Sequence, residues 1–321
     1  MTQAVVTNKQ SRESKESSVP YFLRRIFSFY IGNTAAILGT FIVGTFIIVS
    51  LAAPIMANFD PDRRVARGHQ PPSEKLWLGS TRAGKDVYSQ VLHGGRTSLL
   101  VAFGAAAITV AIAVVIGISA GYFGGKVDEI LTSFMNIVLV FPQLPLLIIL
   151  AAFLGQVGPL VIAIIIGLTS WAWGARVIRS QTLALRNKEF VISAEVMGES
   201  KWRIILVEIL PNLVSIVAGS FIGTTIYALI AEAGLEFLGL GDPTVVTWGT
   251  MLYWAQSNAA LIVGAWWDML VPATVIALMG GGLALLNMSI DQISNPKLKT
   301  GSYLKVWRRM KLEAEAKRVR R

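Results

Sequence analysis

Six apolar runs, each near the length that crosses the hydrocarbon core of a bilayer, punctuate the chain at residues 34–53, 97–122, 130–154, 159–175, 213–233 and 267–290. They predict six transmembrane helices in an all-α membrane protein. Runs two and three are joined by GYFGGKVDEI, whose small and turn-forming residues let two helices reverse tightly. Run three carries Phe141, Pro142, Gln143 and Pro145. Each proline removes a backbone donor and clashes with the preceding turn, so a kink is expected there. The first run starts beyond residue 30 and is longer than the apolar region of a signal peptide, which makes it a retained span.

Composition agrees with the pattern. Hydrophobic residues make up 54% of the 321 and charged residues 15%, more apolar surface than a soluble core absorbs. Lys and Arg number 5 in residues 1–33, 1 in 121–129, 6 in 176–212 and 10 after 291, which puts 22 of the 29 on one face; the other face holds 7, all within 54–96. The bias of basic residues toward the inside predicts a multi-pass protein of the plasma (inner) membrane with both termini cytoplasmic. The net charge of +10 is therefore topology plus a basic tail, and it does not argue for nucleic acid. Cysteine is absent, which excludes disulfides and thiolate chemistry, and His69 and His93 alone make no convincing metal site. No catalytic constellation is legible. Four segments are expected: 1–33, a cytoplasmic tail with an interfacial helix at 21–30; 34–96, the first span and an extracytoplasmic loop; 97–290, a five-helix core with a polar loop at 188–211; and 291–321, a basic cytoplasmic tail.

The polar loop at 189–212, EFVISAEVMGESKWRIILVEILPN, lies between runs four and five. Residues 191–197 read as an amphipathic helix, Gly198 as a turn, and 201–210 as a second helix ending at Pro211. Ala194, Gly198, Ile204, Ile205, Leu210, Pro211 and Asn212 resemble the cytoplasmic coupling loop of binding-protein-dependent ABC importer permeases. The family's leading Glu-Ala-Ala falls on Ile192, Ser193 and Ala194, so the acidic residue is missing from its usual place. The resemblance implies the type I importer permease fold. It also implies that Ser193, Ala194, Glu195, Gly198, Ser200, Trp202 and Pro211 couple this chain to a separate ATPase.

Two further blocks point the same way. Gly79, Gly84 and Lys85 have the spacing of a phosphate-binding loop, but Asp86 stands where Ser or Thr would hold magnesium and no strand precedes it, so nucleotide binding is rejected. Gly79, Gly84, Asp86, Val87, Ser89, Gly95, Arg96, Ser98 and Leu99 instead resemble a signature of the peptide-type branch of the same permeases, with Thr81 and Lys85 in place of its usual Asp and Arg. The string AEAGLEFLGLGDPTVVTWGTML, from Ala231 to Leu252, is similar to that branch's extracytoplasmic signature. Residues 237–266 are too broken to span and too apolar for a free loop, so a re-entrant or interfacial piece is expected, with Trp248, Trp254, Trp266 and Trp267 in an aromatic belt. Gly239, Gly241, Asp242, Thr244 and Trp248 are candidates for docking a binding protein. Asn136 and Gln143, seven residues apart on one helical stripe beside Pro142, mark either a pathway or a packing contact. Glu232 is a pathway candidate, with capping or snorkelling as the alternative.

The resemblance runs from about residue 76 to 297. It implies the C-type membrane subunit of a dipeptide or oligopeptide importer, forming half of a heterodimeric pore, with oligosaccharides or nickel as alternative cargo. Implied partners are a second homologous permease, two ATPase subunits, an extracytoplasmic solute-binding protein and membrane lipid. No cofactor is expected in this chain and it is not an enzyme, ATP and magnesium belonging to the partner subunits. The rival class, a standalone secondary transporter or channel, would need inverted repeats and ionisable groups inside its spans.

Overall fold

A computed structural model describes residues 33–294. The expected interfacial helix at 21–30 and all but the first four residues of the 291–321 tail lie outside the described residues; those four continue the last helix. In chain order the helices are α1 (Thr34–Leu51), α2 (Ala53–Met56), α3 (Val87–Phe123), α4 (Gly125–Val140), α5 (Gln143–Leu154), α6 (Pro159–Thr169), α7 (Trp171–Arg186), α8 (Glu189–Val196), α9 (Lys201–Arg203), α10 (Leu210–Phe237), α11 (Trp248–Ser257) and α12 (Trp266–Ser294). A π-helical turn, Ile204–Ile209, joins α9 to α10.

Four helices are long and apolar enough to cross a membrane alone: α1, α3, the continuous Lys201–Phe237 helix and α12. Two bent pairs, α4 with α5 at 79° and α6 with α7 at 41°, bring the number to the six expected when each pair counts as one span. The first bend falls where Phe141 and Pro142 leave helical geometry, as the prolines predict. The second falls at Ser170 and was not expected, since no proline marks it. There the Gly167 carbonyl, left out of the helical ladder, accepts the Thr109 hydroxyl of α3 at 3.3 Å.

Helix α3 begins ten residues before the apolar run that announced it, so the expected segment border at 96/97 falls inside a helix. The cause is local. The Asp86 carboxylate caps the helix, accepting the amide of Ser89 at 2.9 Å and its hydroxyl at 2.6 Å. At 37 residues and 1.5 Å per residue, α3 is about 55 Å long and spans the whole molecule. Its Gly117 and Gly121 sit four apart against Ala175, Ile178 and Thr182 of α7; a β-carbon on Gly117 would come within 2.7 Å of the Ala175 carbonyl. Small residues at this spacing let membrane helices approach by their backbones, and this close packing carries α7 on to Arg186, past the expected end at 175.

Buried apolar side chains form two cores. One gathers Val87 to Ala105 of α3 with Leu147, Ile162, Ala228, Leu229, Trp248, Met251 and Met279. The other gathers Ala113 to Tyr122 of α3 with Met135, Ala175, Ile178, Val191, Ala194, Ile204, Ile209 and Leu213. Helices α3 and α10 run through both. Between the cores lies a polar waist at Thr109, Ser170, Thr224 and Tyr227, level with the two helix breaks.

Candidate functional site

The loop at 189–212 is a helix, a turn and a helix, as its pattern predicts. Helix α8 ends in a Schellman arrangement: Gly198 N–H donates to the Glu195 carbonyl at 3.0 Å, and Glu199 N–H to the Ala194 carbonyl at 3.1 Å. Gly198 sits at φ +78°, a conformation that L side chains rarely adopt, although nothing lies within 4 Å of where its β-carbon would be. The next helix opens on Ser200, whose hydroxyl accepts the Arg203 amide at 3.4 Å. Val191 and Ala194 are buried, and Tyr122 of α3 donates its hydroxyl to Glu195 at 3.2 Å. The loop's inner face is thus fixed to α3 and α7. Its outer face carries apolar side chains in the open: Val196 is 82% exposed, Met197 74% and Trp202 70%. Ser193, Ser200 and Pro211 are exposed beside them, whereas Ala194 packs inward.

Pro211 does not end the second helix. The π-helical turn before it, closed by Leu210 N–H donating to the Ile205 carbonyl, has already shifted the ladder out of α register, so the missing proline N–H is tolerated. The Asn212 side-chain amide donates to the Glu208 carbonyl at 2.7 Å, and the chain continues directly into α10. The loop and the fifth span are one rod.

At the opposite end the other two motif blocks fold onto each other. Ser98 donates its hydroxyl to Glu232 at 2.9 Å and accepts the Trp248 amide at 3.1 Å. The Trp248 indole donates to the Val91 carbonyl at 2.9 Å, and the Trp267 indole to the Ser80 carbonyl at 3.1 Å. Glu236, one helical turn beyond Glu232, accepts the Thr247 hydroxyl. Gly241 and Gly249 leave room for it: a β-carbon at Gly249 would lie 2.5 Å from Glu236 Oε2, and one at Gly241 2.7 Å from its Cγ. The glycines of this signature therefore cradle a buried carboxyl group. His69, from the 54–86 loop, pairs with Asp268 of α12 at 3.0 Å.

These contacts correct four expectations. Trp248 is 1% exposed and Gly241 is buried, so neither offers a docking surface; Asp242 and Thr244 remain near solvent. The Thr244 hydroxyl and amide donate to Asp242 at 2.6 and 2.9 Å, which holds that carboxyl below its usual range. Trp248 and Trp267 belong to the core rather than to an aromatic belt, because carbonyls inside the protein satisfy their indole N–H groups; Trp254 and Trp266 stay exposed. Glu232 is fully buried, so it lines no open path and neither caps nor snorkels.

The fourth correction concerns Asn136 and Gln143. They do not share a stripe, because the 79° bend at Phe141 and Pro142 puts them on different helices. Asn136 accepts a hydrogen bond from exposed Arg176 of α7 at 2.6 Å, while Gln143 borders the waist. Near them the Arg179 guanidinium grips Asp128 of α4 with two hydrogen bonds. Sequence reasoning missed this pair, and it missed Glu236, Ser170 and Tyr227; it named Ser98 within a signature but not its partners Glu232 and Trp248, which lie far away along the chain.

In the phosphate-loop look-alike at 79–86 four amides are spent inside the protein: Ser80 N–H on the Gln70 carbonyl, Thr81 N–H on the Lys85 carbonyl, Gly84 N–H on the Thr81 carbonyl and Lys85 N–H on the Thr81 hydroxyl. Lys85 itself pairs with Asp62 at 2.8 Å. Among the described residues no group of three or more His, Asp or Glu side chains is placed to hold a metal ion.

Residues 113–300 match the family described as the binding-protein-dependent transport system inner membrane component. The match covers the second core, the loop and the 232–252 motif block around α10 and α11. Among similar proteins, the dipeptide transport system permease protein DppC of Bacillus subtilis is 30% identical over 83% of this chain and 83% of its own length. Its counterpart in Alkalihalophilus pseudofirmus is 31% identical over 84% and 88%. The oligopeptide transport system permease protein OppC of Bacillus subtilis is 29% identical over 83% and 87%. With its helical bundle, its broken spans and its exposed apolar loop, the chain belongs to the family of inner-membrane permease components of binding-protein-dependent ABC importers, and it is a transport subunit rather than an enzyme.

Proposed function

We propose that this chain is the C-type membrane subunit of a peptide importer, half of a heterodimeric pore fed by an extracytoplasmic binding protein and driven by two ATPase subunits that hold ATP and magnesium. The observation that carries the coupling role is the exposed knob of Val196, Met197 and Trp202 on an otherwise charged loop. Apolar side chains held out by a well-capped turn, on a face that the other described residues leave uncovered, are what a partner protein buries. In this reading the loop and both termini are cytoplasmic, and the face around Asp242 and Thr244 is extracytoplasmic. Residues 237–266 lack any Lys or Arg, which favours that orientation.

The mechanism follows from which parts are welded together. Val191, Ala194 and the Tyr122–Glu195 bond tie α8 to α3 and α7, and the π-turn makes the loop continuous with α10. A displacement of the knob therefore moves the whole loop-end core. The breaks at Pro142 and Ser170, level with the polar waist, are where the two bent spans can flex against the continuous α3 and α10. Cargo is read from the relatives named for dipeptide and oligopeptide transport, and from the signature strings that this chain shares with the peptide-type branch.

Proteoliposomes holding this chain with its paired permease, ATPases and binding protein test the reading. ATP-dependent uptake of labelled peptide is expected. Gly198→Val should abolish it with membrane insertion intact, because a β-branched residue at φ +78° forces the turn open. Wild-type uptake by that variant would remove the coupling assignment. Uptake of nickel or an oligosaccharide in place of peptide would replace the cargo.

A further inference from the structure

The waist encloses a chamber of about 340 Å³ whose polar walls are Thr109, Gln143, Ser170, Ser220, Thr224 and Tyr227. Its hydroxyls are not all used. Thr169, Thr182, Thr225 and Ser289 each turn their hydroxyl back onto the carbonyl four residues earlier, at 2.8 Å, the usual resting place for Ser and Thr in apolar helices. Thr109 spends its own on the Gly167 carbonyl. The Ser170 and Tyr227 hydroxyls are buried against each other and, apart from that mutual contact, have no hydrogen-bond partner, which leaves one of the two O–H groups without an acceptor. Ser170 stands at the break between α6 and α7, as the last cap of one helix and the first of the next. Inside a bilayer an unpaired hydroxyl is unfavourable, and it persists where something arrives to meet it.

The lining says what arrives. No Asp, Glu, Lys, Arg or His borders the chamber, so neither the ammonium nor the carboxylate end of a ligand finds a counter-charge there. Hydroxyls and the Gln143 amide both donate and accept. They match a neutral group that presents a donor and an acceptor side by side. A peptide backbone amide is such a group. Gln143 is exposed and Trp173 is 65% exposed where they border the chamber, so it is open on that side.

We propose that this chamber is a subsite, built within this one chain, for the backbone amide of a peptide in transit, with Ser170 and Tyr227 as its hydrogen-bonding side chains. The proposal rests on the peptide reading above. It places a way-station at the level of the two helix breaks, where flexing of the bent spans against α3 and α10 would open and close it.

The test uses the whole transporter in proteoliposomes with loaded binding protein and labelled tri-alanine. Tyr227→Phe and Ser170→Ala should each slow uptake roughly 2- to 10-fold, the worth of one hydrogen bond, through kcat. KM should stay in place, since the binding protein sets it. Ser220→Cys, introduced into this cysteine-free chain, should react with a small thiol reagent more slowly during tri-alanine turnover than with empty binding protein. A wild-type transporter that carries no peptide overturns the peptide reading and with it the ligand assigned here. Peptide uptake that is normal in both hydroxyl variants, or Ser220→Cys reactivity that ignores the peptide, overturns the subsite and leaves the peptide reading standing.

Discussion

Ser98 and Glu232 stand 134 residues apart in sequence and 2.9 Å apart in space, and the hydroxyl that joins them also receives the Trp248 amide. One small side chain thus pins the start of the central helix to both ends of the second motif block. Ser98→Ala would leave a buried carboxylate oxygen without its donor and a buried amide without its acceptor. We expect a loss of about 1–3 kcal/mol, read as a lower melting temperature of the detergent-solubilised protein. An unchanged melting temperature would mean that these groups find other partners.

The glycine cradle around Glu236 makes a second prediction. Gly249→Ala forces a methyl group to 2.5 Å from Glu236 Oε2 and should cost about 1–3 kcal/mol through overpacking. Gly104→Ala is the control, since nothing lies within 4 Å of its β-carbon position. Equal melting temperatures for the two variants would contradict the packing described here.

Arg179 and Asp128 join α7 to the start of α4, and both side chains are partly exposed. A double-mutant cycle with Arg179→Gln and Asp128→Asn should give a coupling of roughly 0.5–3 kcal/mol, toward the lower end because solvent screens the pair. Additive effects would show that the ion pair contributes nothing to holding α4 on α7.

What the chain shows before folding is what local chemistry fixes. Apolar run length marks the spans, Pro142 marks one bend, and the Gly198 turn follows from residue type alone. Signals that require a partner from elsewhere were invisible. Helix α3 starts early because Asp86 caps it within a stretch that looks like loop, and Pro211 reads as a stop because nothing in its neighbourhood announces a π-turn. Trp248 reads as interfacial until Val91 and Ser98, some 150 residues earlier, are seen to satisfy its two N–H groups. The break at Ser170 carries no proline, and the meeting of the Ser170 and Tyr227 hydroxyls in the waist is a property of the packed bundle only.

The proposed orientation can be read with thiols, because the chain has no cysteine of its own. Thr244→Cys and Ser257→Cys should react with an impermeant reagent added to intact spheroplasts, and Ser200→Cys should react only after the membrane is opened. Outside labelling of Ser200→Cys would invert the topology. Protection of Thr244→Cys by loaded binding protein is expected if that residue borders the docking face.

The central claim is that the knob on the 189–212 loop is buried by an ATPase subunit. Met197→Cys in the assembled transporter, treated with a short thiol-reactive photo-crosslinker in inner-membrane vesicles, measures this directly. The account predicts one dominant adduct, containing this chain and an ATPase subunit, whose yield changes between the nucleotide-free and ATP-bound complexes. A Met197→Cys that is fully labelled yet yields no ATPase adduct in either state, or that cross-links to the binding protein, would contradict it.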